Sequence, residues 1–548
     1  LLEWVSAAEV ERRNRGGRYP VLPGMYGGYA LVFLFVLAVM AGTDPAWRWT
    51  GLALAAFWAA APLAVRGLDQ PPEPPGRPLA AAEEAELREL AGRIWRFFED
   101  CVTETDHWLP PDNLQIEPPT GIAHRTSPTN IGLYLAGVLA ARDLGFIDTP
   151  GLIERLERTV GTVERMEKWK GHLYNWYDTV TLEPLPPRYV STVDSGNFAG
   201  CLIAVREGLA QWLQSDGEGD AGAPETDVAP AGEPVPALPR PSRPSRGQSL
   251  MARLEALIEG TDFGPLYDHK ARLLHLGYRV ALREPDRILY DLLASEARLS
   301  SFVAIALGQV PVSHWHALGR TMTRVGRRTA LLSWSGTMFE YLMPWLLMRT
   351  YRKTVWDSTY RAVVRRQMEY AHRRGVPFGI SESGYYAFDH RMNYQYRAFG
   401  VPGLGFKRGL EQDLVVAPYA TILALPFARR QGLADLRKME ELGAGGEYGY
   451  YEAVDFTSER LPENRTSVVV RSFMAHHQAM SLLALANLLA PHKMYERFHR
   501  DKRVRAAELL LQERVPARPK IIKHPVFARP PVPGAGAASG AVRREYLT

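Results

Sequence analysis

Apolar residues recur at three- and four-residue intervals over most of the chain, and strict alternation is rare. From Glu83 onward Leu87, Leu90, Ile94, Trp95 and Phe98 fall on one helical face; Ile153, Leu156, Val160, Val163 and Met166 fall on another. Ser127 before Pro128 reads as a helix start, because the hydroxyl satisfies a free N–H and proline fits the first turn. That helix is predicted to run to Gly145. Further helices are predicted at 196–214, 249–259, 291–307, 337–350, 355–373, 411–430, 434–442, 467–490 and 493–514. The pattern predicts an all-α fold.

Two runs are apolar on every side, from about Leu22 to Gly42 and from about Trp47 to Val65. Each approaches the roughly 20 residues that cross a bilayer, and the connection between them fits only a tight hairpin. A transmembrane helical hairpin, with membrane lipid as partner, is the expectation. Arg12, Arg13, Arg15 and Arg18 precede the first run, which predicts that both ends of the hairpin face the cytoplasm. A proline-rich linker follows at 70–82. Residues 215–248 are mostly Pro, Ala, Gly, Ser and Glu; too few large apolar side chains offset the ordering entropy, so a disordered insertion is expected. The predicted layout is a membrane part at 1–69, the linker, a helical domain at 83–515 and a flexible tail at 516–548. The chain begins with Leu, and it reads as a piece of a longer polypeptide.

Charged residues at 23% and apolar residues at 46% exclude wholesale disorder. A net charge of +5 spread over scattered arginines gives no nucleic-acid stripe. Cys101 and Cys201 alone exclude a disulfide framework and a cysteine metal site. His476 and His477 adjoin on a predicted helix, which would splay them about 100° apart and argues against a shared metal. No nucleotide fingerprint is present, and no cofactor is expected.

The candidate chemistry lies in seven dense stretches: YNWYDT (174–179), VSTVDSGN (190–197), DLLASEAR (291–298), GTMFEYLMP (336–344), GISESGYYAFDH (379–390), YGYYEAVDFT (448–457) and RSFMAHHQAM (471–480). Most sit where a predicted helix begins or ends, as loops at one end of a toroid of paired helices would. Aromatic faces stack on the C–H face of a sugar, while carboxylates, amides and imidazoles bind its hydroxyls. Candidate sugar-binding groups are Trp176, Tyr177, Asp178, Asp194, Asn197, Trp334, Tyr385, Tyr386, Tyr451, His476, His477 and Gln478. Glycosidic cleavage needs two carboxyl groups. Glu382 and Glu452 are the expected catalytic pair, because a carboxyl pressed against rings loses solvation and keeps its proton. Glu340 is the reserve, and the division between acid and nucleophile stays open.

Taken in order, DHWLPPDN, AHRTSPTNIGLYL, YNWYDT, STVDSGN, DLLASEAR, GISES, GVPGLGFKRGL and AHHQ resemble the central region of the cyclic β-1,2-glucan synthases over roughly residues 85–515. The resemblance implies an (α/α)6 barrel with a glycoamylase-like domain that acts on linear β-1,2-glucan. It implies transglycosylation, in which the chain's own end replaces water and closes a ring. It further implies a bacterial inner (cytoplasmic) membrane location, with glycosyltransferase and phosphorylase-like domains as possible separate partners. The aromatic-rich loop after GISES and the insertion at 215–248 depart from the family pattern, so hydrolysis to linear products is kept as an alternative, beside a non-catalytic glucan-binding membrane module.

Overall fold

The computed structural model describes residues 32–41, 45–68, 79–220, 245–490 and 492–522, in two units divided after Pro78. In the first unit α1 (residues 32–41) packs on α2 (Pro45–Leu68), with Phe35 and Trp58 rings 6.0 Å apart. Gly51 permits this approach, since a Cβ there would lie 2.5 Å from Val39. Among the described residues no helix is long and apolar enough to cross a membrane. The expected transmembrane hairpin is corrected to that extent: α2 has the length, but Arg48, its glycines and its many alanines and tryptophans dilute the hydropathy. Residues 1–31, with the arginine cluster on which the orientation rested, lie outside the described residues, as do 42–44.

The second unit contains α3 (Ala81–Cys101), α4 (Pro128–Asp143), α5 (Thr149–Arg165), α6 (Thr192–Asp220), α7 (Arg246–Gly260) and α8 (Arg298–Ala306). It continues with α9 (Ser313–Ala317), α10 (Met338–Leu342), α11 (Val355–Arg374), α12 (Pro418–Glu441), α13 (Ala475–Leu489), α14 (Met494–Phe498) and α15 (Lys502–Ala507). A helix apolar on every side belongs inside. Such are α4, α6 through Leu209, α8, α10, the first half of α12 and α13, whose residues are nearly all buried. Helices α3, α5, α7 and α11 bury one face and form the outer layer. The result is an α/α toroid.

Glycines set how closely the inner helices approach. A Cβ on Gly132 of α4 would lie 2.9 Å from the Phe198 Cα of α6, and one on Gly196 of α6 would lie 2.3 Å from the Ser300 Cα of α8. Gly196→Ala must push two backbones apart, and a loss of about 1–3 kcal/mol is expected for such overpacking. A chemical-denaturation midpoint unchanged from wild type would refute this. Helix α12 serves both layers, because Pro426 lacks an N–H and Ala428 leaves helical geometry (φ −147°, ψ 50°), breaking the helix where inner wall becomes outer.

Several predicted boundaries move for identifiable reasons. The helix expected at 291–307 begins only at Arg298, since Leu293 N–H bonds Gly319 O and Ser295 turns the chain. The helix expected at 467–490 begins at Ala475, because Val468–Val470 and Ser472–Met474 are strands, as a β-branched run favours. Helix α6 runs to Asp220, and Ser245 caps α7 with Gln248, so only 221–244 of the expected insertion fall outside the described residues. Of the expected tail, Lys520 and Ile522 bond the backbone of Met322, and 523–548 lie outside the described residues. Linker residues 69–78 do as well.

Short strands of two to six residues occupy the connections between the helices. Asn113–Gln115 pairs with Gly121–Ile122 and with Ser472–Met474, which delivers the chain into α13. Ala453–Asp455 lies between Val415–Val416 and Val468–Val470. Ser383–Phe388 and Tyr394–Arg397 form a hairpin in which Gly384 faces Tyr396.

At the carboxyl end of α4, its last residue Asp143 is tied to Arg497 of α14 by a buried ion pair, with α6 bonded to both partners. Arg497 Nη2 donates to Asp143 Oδ1 at 2.7 Å, and Nη1 reaches Oδ2. Trp212 Nε1 adds a bond to Asp143 at 3.1 Å, and Gln211 accepts from Arg497 Nε at 3.0 Å.

Candidate active site

The amino ends of the inner helices converge with the short strands, and each brings a polar group. Thr129 stands at the start of α4, Asp194 at the start of α6, Glu296 just before α8, Glu340 in α10, Tyr419 at the start of α12, and His476 and His477 at the start of α13. Free N–H groups and the positive ends of the helix dipoles therefore point at a cluster of carboxylates.

Glu382 follows Gly379, whose φ of 136° and contact with Thr421 exclude a Cβ. Ser381 is anchored by Tyr419 Oη and by Phe339 N–H, and Tyr419 Oη also donates to Glu382 O at 2.9 Å. The half-buried Glu382 side chain has one hydrogen-bond partner among the described residues, Tyr396 Oη at 3.2 Å from Oε1. Burial, then the Glu340 carboxylate and then Glu452 push its pKa up to about 8, against the opposing Tyr396 bond.

Tyr396 Oη also lies 3.4 Å from His476 Nε2 and 3.2 Å from His477 Nε2. His477 Nδ1 lies 3.0 Å from both oxygens of Glu452, and the His477 ring stacks on Tyr419 with centroids 3.6 Å apart. Gly384 N–H completes the shell of Glu452 at 2.9 Å. Burial pushes Glu452 up to about 8, holds His477 well below the usual histidine range and lowers His476 to about 3, so both imidazoles are neutral at neutral pH. Both rings turn toward Tyr396, which corrects the expected splay.

The remaining carboxylates differ in what occupies them. Glu340 is consumed by its own helix start: Ser335 N–H, Thr337 N–H and Ser333 Oγ all donate to it. Asp194 accepts from Thr129 Oγ1 at 2.5 Å, and the Asn175 amide, turned to suit both neighbours, bridges it to Trp176. Glu296 is half-buried and has no side-chain hydrogen-bond partner among the described residues. Burial and the charges of Glu382, Asp194 and Glu340 hold it well above the ordinary carboxyl range.

Other predicted groups are distributed unevenly. Trp334 is 48% exposed, donates to Asp291 at 3.1 Å and leans on Phe406. Asn197 is buried and donates to Thr129. Tyr451 and Gln478 line a small cavity of about 20 Å³ together with Glu452 and His477. Tyr385 bonds Gln395 beneath Arg460, while the Tyr386 N–H donates to Asp455. Two assignments are corrected. Tyr177 is fully buried with its hydroxyl on Glu167 O, so it is core. Asp178 caps a turn through Val180 and Thr181 N–H and does not reach the cluster.

Sequence reading missed Glu296, Tyr396 and Tyr419. Glu296 lay within the singled-out stretch DLLASEAR, and its position beside other acids was the available signal.

Comparison with known proteins fits this geometry. The family described as "Putative glucoamylase" matches residues 289–501. Cyclic beta-(1,2)-glucan synthase NdvB of Rhizobium meliloti (strain 1021) is 39% identical over 94% of this chain, which spans 22% of that protein's length. An endo-beta-1,2-glucanase from Chitinophaga pinensis, solved with sophorotriose and glucose, shares the fold with TM-score 0.60 at 14% identity, over 78% of this chain and 98% of its own. An endo-beta-1,2-glucanase from Talaromyces funiculosus, solved with sophorose, has TM-score 0.58 at 13% identity, over 78% of this chain and 87% of its own. The chain is thus a homologue of a cyclic β-1,2-glucan synthase, built on a glycoamylase-type α/α toroid.

Proposed function

We propose that this chain is a glycoside hydrolase-type transglycosylase that cuts β-1,2-glucan and rejoins it to a sugar hydroxyl. One observation carries the reading: within the carboxylate cluster and among the described residues, Glu296 has no side-chain hydrogen-bond partner and Glu382 has only Tyr396, whereas protein donors occupy Glu340 and Glu452. Carboxyls free of protein donors are the ones able to work on a substrate. Like charges this close do not both ionise, so Glu296 and Glu382 hold one proton between them. Glu382, with its hydroxyl contact, protonates the leaving oxygen as general acid; Glu296 attacks the anomeric carbon. Release of the first fragment leaves a glycosyl ester on Glu296. Glu382, now a carboxylate, takes the proton of the incoming hydroxyl as the new bond forms. Glu452 thereby moves from the expected catalytic pair to a supporting place, and Glu340 to a structural one.

Incubation of the chain with linear β-1,2-glucan, followed by mass analysis, tests the reading: rings lack the water that linear fragments carry. An unchanged chain-length distribution would refute it. Hydrolysis is the second reading, favoured by the fold shared with endo-β-1,2-glucanases, and gives only linear products.

Because Glu382 must carry its proton at the start of each cycle, activity should fall as pH rises through about 8. Initial rates across pH check this, and a plateau continuing well beyond that value would exclude Glu382 as the acid.

Lipid contact by the first unit belongs to the same proposal. It is supported by the exposed Phe33, Leu34, Leu37, Trp47, Trp49 and Phe57. Failure of the chain to sediment with anionic vesicles would remove it.

A further inference from the structure

We propose that Glu452, His477 and Tyr396 form a proton-conducting chain that ends on Glu382, so that Glu452 acts as a positioning residue and proton store and never touches the sugar. The inference rests on the assignment of Glu382 as general acid.

Every link is a hydrogen bond already described. Glu452 contacts His477 Nδ1 at 3.0 Å, His477 Nε2 contacts Tyr396 Oη at 3.2 Å, and Tyr396 Oη contacts Glu382 Oε1 at 3.2 Å. A neutral imidazole donates from one nitrogen and accepts at the other, and a phenol does both through one oxygen. The chain therefore has two fully satisfied states. In the first, protonated Glu452 donates to Nδ1, Nε2–H donates to Tyr396, and Tyr396 donates to the Glu382 carboxylate. In the second, every proton has moved one link: Glu382 is protonated and donates to Tyr396, Tyr396 donates to Nε2, and Nδ1–H donates to the Glu452 carboxylate. One proton crosses from Glu452 to Glu382, and no charge is left on His477 or Tyr396.

The surroundings favour this exchange. Tyr419 stacks on His477 and Phe339 meets it edge-on, fixing the ring in line. Both terminal carboxyls sit near 8, so the transfer is close to balanced. The charged and titratable groups facing the chain are Glu296 and Glu340 beside Glu382, Tyr419 beneath His477, and His476 and Asp112 toward Glu452. Tyr396 is 42% exposed, so the chain meets the open side only at its Glu382 end.

The test compares E382Q, Y396F and E452Q in the full chain. The substrates are linear β-1,2-glucan and a 1,2-linked β-glucobioside of 4-nitrophenol, whose leaving group needs little protonation. E382Q should lose activity on glucan; if it keeps wild-type activity, the acid assignment fails, independently of the chain. With E382Q inactive, Y396F should lose about 10- to 100-fold on glucan, part of the usual acid–base contribution, and much less on the aryl substrate. The alkaline limb should move up in Y396F, because the Tyr396 bond that holds the Glu382 pKa down is gone, and down in E452Q, because a nearby charge that raises it is gone. Y396F alters a half-exposed residue and decides the matter alone should E452Q fold poorly. Limbs that stay in place, or equal losses on both substrates, would overturn the inference.

Discussion

Glu296→Ala and Glu382→Ala should each lower turnover of linear β-1,2-glucan by about 10²–10⁴-fold or more while leaving the melting profile close to wild type. Both side chains are half-buried at the rim of the toroid, and neither ties two helices together, so removal leaves no hole in the core. The two losses differ in how they can be repaired. Without Glu296 no covalent ester forms, and added azide attacks the sugar directly, giving a glycosyl azide of inverted configuration. Without Glu382 an activated aryl leaving group restores the first step, and azide then opens the ester with overall retention. Equal, unrescuable losses would count against the separate duties; full activity in either variant would remove that residue from the chemistry. A double variant should be little worse than the weaker single one, since groups acting as a unit are not additive.

The largest expected effect on stability lies at the other end of the toroid. Asp143→Ala leaves the Arg497 guanidinium in a site where both side chains are 1% exposed, with Gln211 its remaining side-chain partner among the described residues. Breaking a buried pair by removing one member costs about 3–5 kcal/mol, chiefly because the surviving charge is stranded. The Trp212 indole N–H also loses its acceptor. Denaturant unfolding should show the midpoint falling by that equivalent. The pH dependence of the fraction that remains folded should match wild type, since Asp143 sits at the carboxyl end of α4 and the carboxylate cluster at the amino ends. Replacing Asp143 and Arg497 together by apolar residues should recover part of the loss. A single Asp143→Ala variant as stable as wild type would show that the pair contributes nothing.

The toroid was legible because helical periodicity is written locally: Leu87 to Phe98 and Ile153 to Met166 each declare one buried face. The buried inner helices were harder, since α4 is apolar all round and has no face to detect, yet Ser127 and Pro128 still marked its start. Strands at the mouth were invisible, as pairs of two or three residues such as Val415 and Val416 are too short for a period of two to register. That blindness cost the site its hub. Tyr396 reaches Glu382 only because Gly384 faces it across a hairpin, a relation that spacing along the chain does not encode. Glu382, Glu452 and His477 were found because acids next to rings are locally conspicuous. Glu296 escaped because DLLASEAR continues a helical pattern, although a turn at Ser295 sets its carboxyl outside the helix. Tyr177 misled for the opposite reason: it shares a segment with Trp176 but turns inward to Glu167.

Helix α6 carries Asp194 at its first turn and ends at Asp220, and α7 resumes at Arg246. The end of α6 and the start of α7 therefore lie away from the carboxylate cluster that the first turn of α6 helps to build. A tag, a linker or a second protein placed between Asp220 and Arg246 should leave the carboxylate cluster untouched, which makes this junction the natural place for one.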